Sequence, residues 1–291
     1  MNRDGVPRFA FSTLACPEWT AESVVEHAAG IGFDGIEWRG GPEGTVRSDW
    51  SAAQRRSLRR AVERAGLASI AVTAYTSVIS GDPDVIRRSI DAAVAHAELA
   101  ADLGAPVLRI FLGERDDDAT EANLRRRAVA SLSALLERVR PTGVVVAIEP
   151  HDDHVRAASV RPILDAVGDP GLGVVWDIAN AWSAGERPAD GLAAYDGRIA
   201  YVQVKDGTGF GPSWRLCALG LGTVPLDDAL TDLAARCAAA SRPLPPISVE
   251  WERAWHDHLE PAVVALPAAL AWLREHVTRA VRVSAPATSG G

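Results

Sequence analysis

Four residues, Glu149, Asp177, Gln203 and Glu250, stand out because each closes a short apolar run: V-V-V-A-I-E at 144–149, G-V-V-W-D at 173–177, A-Y-V-Q at 200–203 and I-S-V-E at 247–250. A β-branched run that stops abruptly on a carboxylate is the pattern of a buried parallel strand delivering a charge to its C-terminal rim. Taken singly, such an acid is as well explained as a strand end paired with an arginine. The recurrence weighs against that account. Four oxygen donors converging at strand ends make a site for a divalent cation, and three carboxylates crowded together repel strongly unless a cation lies between them.

The elements that position these donors follow from periodicity. With side chains alternating along a strand, Val145, Ala147, Glu149 and His151 share one face, while Val144, Val146 and Ile148 share the other. By the same rule Glu37 and Arg39 face away from Ile36 and Trp38, and Tyr201, Gln203 and Lys205 lie together. Arg109 falls on the parity of Val107 and Phe111, and an arginine inside a buried sheet needs a partner. Helical spacing recurs behind the strands. Ser51 and Gln54 have capping-box spacing ahead of Leu58 and Val62, Asp82-Pro83 supplies an N-cap and a favoured first residue, and Leu124, Ala128, Leu132, Leu135 and Val139 repeat at three and four. Helices are also predicted over 159–167, from Leu226 to Cys237, and through Leu270 and Leu273. Gly207 to Gly222 reads as a polar, glycine-rich connection ending in L-G-L-G.

Eight strand–helix units is the count that closes a (β/α)8 TIM barrel, in which all strand C-termini ring one face. A doubly wound open sheet is the alternative, but it does not bring the ends of the fifth to eighth strands to a common point. We therefore expect a single barrel domain over 1–281, with 282–291 a disordered tail because V-S-A-P-A-T-S-G-G has no periodicity.

Composition narrows the class. Of 291 residues, 47% are hydrophobic, which is ample for a core, and no apolar run approaches the roughly 18 residues of a membrane span. The net charge of −8 gives no basic footprint for nucleic acid. The first residues, M-N-R-D-G-V-P-R, lack the apolar stretch of a signal peptide, and the three cysteines, Cys16, Cys217 and Cys237, are too far apart for a C-x-x-C motif, so a reducing, cytoplasmic setting is expected. Homo-oligomerisation is compatible with this composition but nothing in it specifies a partner chain.

Together, G-F-D-G-I-E-W-R, I-E-P-H-D-D, V-V-W-D-I-A-N, Y-V-Q-V-K-D and S-V-E-W-E-R resemble, in order and approximate spacing, the xylose isomerase-like barrels known as sugar phosphate isomerases and epimerases. The resemblance covers nearly the whole chain. It implies a metal held by Glu149, Asp177, Gln203 and Glu250, with the two glutamates doubling as acid and base. The chain departs from the family at Gln203, where most members carry histidine; hydroxypyruvate isomerases are similar in using glutamine there. An amide oxygen is harder than imidazole, so the exchange favours Mn²⁺ or Mg²⁺ over Zn²⁺. His151 matches the family's E-x-H pattern as a contact to a substrate hydroxyl, and Lys205 the family lysine that steadies developing oxyanion charge. Arg109 is a further candidate for the substrate side, or for a charge network with Glu37 and Arg39. Asn180, His154, Cys16 and Trp251 are candidates to line the pocket.

The function expected from these residues is isomerisation or epimerisation of a small sugar or related hydroxy-carbonyl compound, by proton transfer through an enediolate. A dehydratase of a keto-cyclitol on the same scaffold is the alternative, as is a sugar-binding subunit without turnover. An endonuclease of the related DNA-repair branch would need further histidines and a basic face.

Overall fold

The computed structural model describes residues 6–116 and 119–284. Eight parallel strands close into a barrel: β1 (Phe9–Ser12), β2 (Gly35–Arg39), β3 (Ala68–Thr73), β4 (Val107–Ile110), β5 (Val145–Ile148), β6 (Leu172–Asp177), β7 (Ile199–Val204) and, after an antiparallel hairpin of β8 (Asp206–Thr208) and β9 (Arg215–Cys217), β10 (Ile247–Val249), which pairs with both β7 and β1. The expected single TIM barrel is the fold.

The alternation rule sorts the core into two. Val146, Ile148, Trp38, Trp176 and Val202 belong to the large cluster between strands and helices, whereas Ala10, Ile70, Ala71, Val107, Ala147, Val175 and Tyr201 form a separate cluster inside the barrel. The interior is built from alanines around one large ring. Ala10, Ala71 and Ala147 leave room for Tyr201, so the lower layer is filled and the polar layer sits above it, toward the strand C-termini.

The helices are α1 (Ala21–Ile31), α2 (Ala52–Arg64), α3 (Pro83–Leu103), α4 (Glu121–Val139), α5 (Ala157–Val167), α6 (Ile178–Ser183), α7 (Pro188–Tyr195), α8 (Leu226–Ala239) and α9 (Ala262–Ser284). Ser51 and Gln54 form the capping box at α2, and Asp82 caps α3 with Pro83 as its first residue. Several boundaries differ from expectation. The apolar pattern predicts strands over Ala68 to Tyr75 and Val107 to Gly113, but β3 and β4 stop at Thr73 and Ile110, so Tyr75 and Phe111 belong to loops over the mouth rather than to the ladder. α6 and α7 fill the stretch between β6 and β7, where the sequence pattern predicts no helix, and the hairpin opens the polar, glycine-rich connection that ends at Gly222. The last helix runs to Ser284, three residues into the expected tail; positions 285–291 lie outside the described residues.

Candidate metal centre and active site

Strand register brings the donors into one layer. Asp177 lies opposite Gln203 and Gln203 opposite Ser248, so Glu250 stands one step above Ser248 on the same face. On the other side Arg109 lies opposite Ala147, which places Glu149 one step higher. Glu149, Asp177 and Glu250 each offer one oxygen to a group in which all three atoms lie within 4.8 Å of one another, and all three residues are buried.

Each donor is held differently. Glu149 Oε2 is 3.0 Å from Arg109 Nε, and Oε1 accepts from Asn180 Nδ2 at 3.2 Å. Asp177 uses Oδ1 to cap α6, accepting from the Asn180 backbone N at 2.9 Å, which leaves Oδ2 facing the site 2.9 Å from Lys205 Nζ. Gln203 donates from Nε2 to Glu37 Oε1 at 2.9 Å and to Glu250 Oε1 at 3.0 Å. Glu250 Oε2 accepts from Lys205 Nζ at 2.5 Å, and the same ammonium donates to Glu252 Oε1 at 2.6 Å.

Burial sets the electrostatics. It pushes Glu149 well above the carboxylate range; Arg109 opposes this while Glu250 and Asp177 add to it. Burial likewise raises Asp177 to about 6 against the pull of Lys205. Glu250 goes the other way, because the charge and hydrogen bond of Lys205, with help from Arg109, outweigh its burial and hold it low. Glu37, buried and near Glu250, is raised to about 7.

The residues fit a divalent cation. Glu149 Oε2, Asp177 Oδ2 and Gln203 Oε1 are buried oxygens with no aligned hydrogen-bond donor, the first two having only poorly directed charge contacts to Arg109 and Lys205. Four buried carboxylates, Glu37, Glu149, Asp177 and Glu250, meet only two buried cations in contact with the group, Arg109 and Lys205. Buried carboxylates outnumber buried cations here, and buried charge without compensation is costly, so a cation among these oxygens would relieve the crowding.

Above the donors is a cleft of about 470 Å³, walled by Leu14, Tyr75, Phe111, His151 and Trp255 and floored by Arg109, Glu149, Lys205, Glu250 and Glu252. A larger depression of about 600 Å³ lies at the other end of the barrel, around Ile70, Val107, Gly173 and Ala200. It is mainly apolar and holds no converging acids, whereas the acidic cluster lies beneath the smaller cleft.

The other sequence candidates are placed as follows. Arg109 and Lys205 reach the cleft floor, each already bound to carboxylates. His151 stands at the rim, its ring 4.7 Å from that of Phe111 and its Nδ1 2.8 Å from Asp152. The charge network of Arg109 with Glu37 and Arg39 does not form. Glu37 takes uncharged donors, and Arg39 donates to the Glu43 carbonyl while its guanidinium lies over the rings of Trp255, at 4.5 Å, and Tyr75, at 5.6 Å. Asn180 touches Glu149, whereas His154, Cys16 and Trp251 do not line the cleft. Cys16 is bonded to the Thr13 carbonyl, and Trp251 to that of Glu260.

Ser248, which binds Glu37, and Glu252, which binds Lys205, are not singled out by the sequence, and Tyr201, expected on the face of Gln203, has Glu37 as a partner that the sequence does not indicate. Ser248 and Glu252 share the parity of Glu250 in S-V-E-W-E, so alternation was a signal for both. The L-G-L-G turn wraps a carboxylate of the chain itself: Asp206 accepts from the backbone N of Gly207, Gly220, Gly222 and Val224.

A closed (β/α)8 barrel with acids from β5, β6 and the end of β10 beneath one cleft defines the class of a barrel with a buried acidic, cation-type centre at its C-terminal face. The model of the family described as xylose isomerase-like TIM barrel matches residues 25–276, and the chain belongs to that family. Among solved structures it is similar to the IOLI protein with a bound zinc atom (18% identity, TM-score 0.77, covering 94% of this chain and 98% of that one). A D-tagatose 3-epimerase-like protein is equally similar (18%, 0.77, 96% and 100%). The probable 3-DHS dehydratase AsbF of Bacillus anthracis follows at 16%, with TM-score 0.73 and 92% and 98% covered. Among curated proteins none matches significantly. No helix among the described residues is long and apolar enough to cross a membrane.

Proposed function

We propose that this protein is a divalent-metal-dependent isomerase or epimerase of a small sugar or related hydroxy-carbonyl compound, acting by proton transfer through an enediolate. The observation that carries the proposal is the meeting of Glu149, Asp177 and Glu250 within 4.8 Å, two of which, Glu149 and Glu250, floor a sugar-sized cleft. Gln203, with its buried and unpartnered Oε1, completes a set of four oxygen donors. An all-oxygen set favours Mn²⁺ or Mg²⁺. When bound, such a cation supplies Lewis-acid polarisation of a carbonyl and its neighbouring hydroxyl, acidifying the C–H between them.

The protein's own residues divide the proton transfers. Lys205 holds Glu250 low, which suits it to accept a proton, while burial pushes Glu149 up, which suits it to return one. Arg109, bound to Glu149, orients that carboxyl rather than waiting free for substrate. Lys205 lies where it steadies negative charge developing on a substrate oxygen, and His151 at the rim is placed to meet a hydroxyl. Tyr75, Phe111 and Trp255 offer apolar faces to the C–H side of a sugar or cyclitol.

The test is a panel of ketoses, hydroxypyruvate and inososes offered to metal-loaded protein in D₂O, with product mass and deuterium content followed together. Deuterium entering a product of unchanged composition is expected, and a product lighter by water would replace isomerisation with dehydration. Transfer of the C–H hydrogen without solvent exchange, or turnover unaffected by both Glu149→Gln and Glu250→Gln, would overturn the proton-transfer mechanism. Each substitution is expected to lower turnover about 10²- to 10⁴-fold.

A further inference from the structure

We infer that Glu37 is the positioning residue that fixes which end of the Gln203 amide faces the acidic cluster, and thereby makes position 203 an oxygen donor. The inference rests on the proposal that Gln203 is a ligand. Glu37 lies on β2, across the barrel from β7, and is wholly buried. Tyr201 Oη and Gln203 Nε2 donate to its Oε1 at 3.0 and 2.9 Å, and Ser248 Oγ donates to its Oε2 at 2.5 Å. It has no ion pair among the described residues. Its link to the acidic cluster is the Gln203 amide.

That amide has two N–H groups, and both are committed. One meets Glu37 and the other meets Glu250 Oε1 at 3.0 Å. Oε1 is left on the remaining side, buried and without a donor. A flipped amide would set its oxygen 2.9 and 3.0 Å from two carboxylate oxygens and take a donor from each, so the observed orientation follows from acceptor chemistry alone. Glu250 cannot hold this orientation unaided, because it is itself one of the cluster and is shared with Lys205. Glu37 stands outside the cluster and is held in turn by Tyr201 and Ser248. An amide nitrogen is not a ligand for a hard cation, so the orientation decides whether position 203 coordinates at all.

A double-substitution cycle on the metal-stripped full-length protein tests this, reading Mn²⁺ binding by the loss of the free-ion paramagnetic resonance signal. Glu37→Asp keeps the charge and withdraws the carboxylate; Glu37→Gln removes the charge. Each is expected to weaken Mn²⁺ binding about 10- to 100-fold in the wild-type background, the usual effect of losing a residue that orients a ligand. In a Gln203→Ala background either change should cost less than about threefold, since there is no amide left to orient. Equal losses in both backgrounds would show that Glu37 acts through its charge and would overturn the inference.

A second measurement does not need the metal. In protein labelled with ¹⁵N-glutamine, the side-chain amide signal missing from Gln203→Ala should be strongly protected from hydrogen exchange in the wild type and lose that protection in Glu37→Asp. Unchanged protection would overturn the inference. Wild-type protein that binds no divalent ion yet shows the expected protection pattern would instead refute the metal proposal while leaving the orienting role of Glu37 standing.

Discussion

Replacing Lys205 by methionine keeps most of the side-chain volume and removes one positive charge from the most crowded point of the molecule. Lys205 Nζ lies 2.9 Å from Asp177, 2.5 Å from Glu250 and 2.6 Å from Glu252, and the side chain is only 3% exposed. Removing one partner from a buried ion pair typically costs about 3–5 kcal/mol, because the remaining charge is left uncompensated. Lys205→Met in metal-free protein should therefore lose about that much at pH 7.5, read from urea unfolding. The loss should shrink as pH falls, since Asp177, raised to about 6 even with the lysine present, and then Glu250 escape by taking up protons. Saturating Mn²⁺ should restore much of the stability, and the variant should bind the ion more tightly than wild type, because a competing cation has gone. Turnover should fall nonetheless, separating affinity from catalysis. A loss under about 1 kcal/mol, or one that ignores both pH and Mn²⁺, would refute the account and reduce Lys205 to the packing of its methylenes.

Asp177→Ala removes a proposed ligand and the cap of α6 together, and should abolish stoichiometric Mn²⁺ binding by elemental analysis while costing about 1 kcal/mol through the cap. Mn²⁺ affinity of the wild type should rise with pH, because the protons on Asp177, raised to about 6, and on Glu149, pushed well above the carboxylate range by burial, must leave before either carboxylate can coordinate. Metal-free protein should lose stability over the same rise: with Asp177 raised to about 6 and Glu37 to about 7, the folded state binds more protons than the unfolded chain there, which urea titrations at several pH values would reveal. Gly222→Ala would set a methyl 2.0 Å from Asp206 Oδ1 and should lower stability by about 1–3 kcal/mol, read from urea unfolding.

What the sequence disclosed was whatever depends on period. Alternation put Glu149, Asp177, Gln203 and Glu250 on inward faces, and the capping residues Ser51 and Asp82 marked helix starts, because both signals are local. Partners set by register were not legible. Arg109 was seen to need a counter-charge, but that it is Glu149 and not Glu37 follows from the alignment of Arg109 with Ala147, which no single strand encodes. Glu37 finds Tyr201 and Ser248 at separations of 164 and 211 residues, a consequence of barrel closure alone. α6 was missed because six residues are too few to display a helical period, and its cap, Asp177, had already been read as a strand end with a chemical role. Its Oδ1 caps the helix and its Oδ2 faces Lys205.

The carboxylate of Asp206 draws four backbone N–H groups around itself directly after Lys205, and this has a bearing on how the protein can diverge. The loop after β7 is tied at both ends to one residue, so its base is a closed collar while Thr208 to Arg215 project as a hairpin tip beyond it. Residues can be inserted, lost or exchanged in that tip without transmitting a shift to the lysine, because any change in length is absorbed outside the collar. Phe210 at the tip packs against Trp182 of α6, whose first turn begins at Asp177. The tip is thus a place where sequence can drift from one descendant to another while the charge-bearing floor stays fixed, with Gly209, whose added Cβ would meet the Ser213 carbonyl, and Trp214, which packs on the core, as the positions that hold its shape.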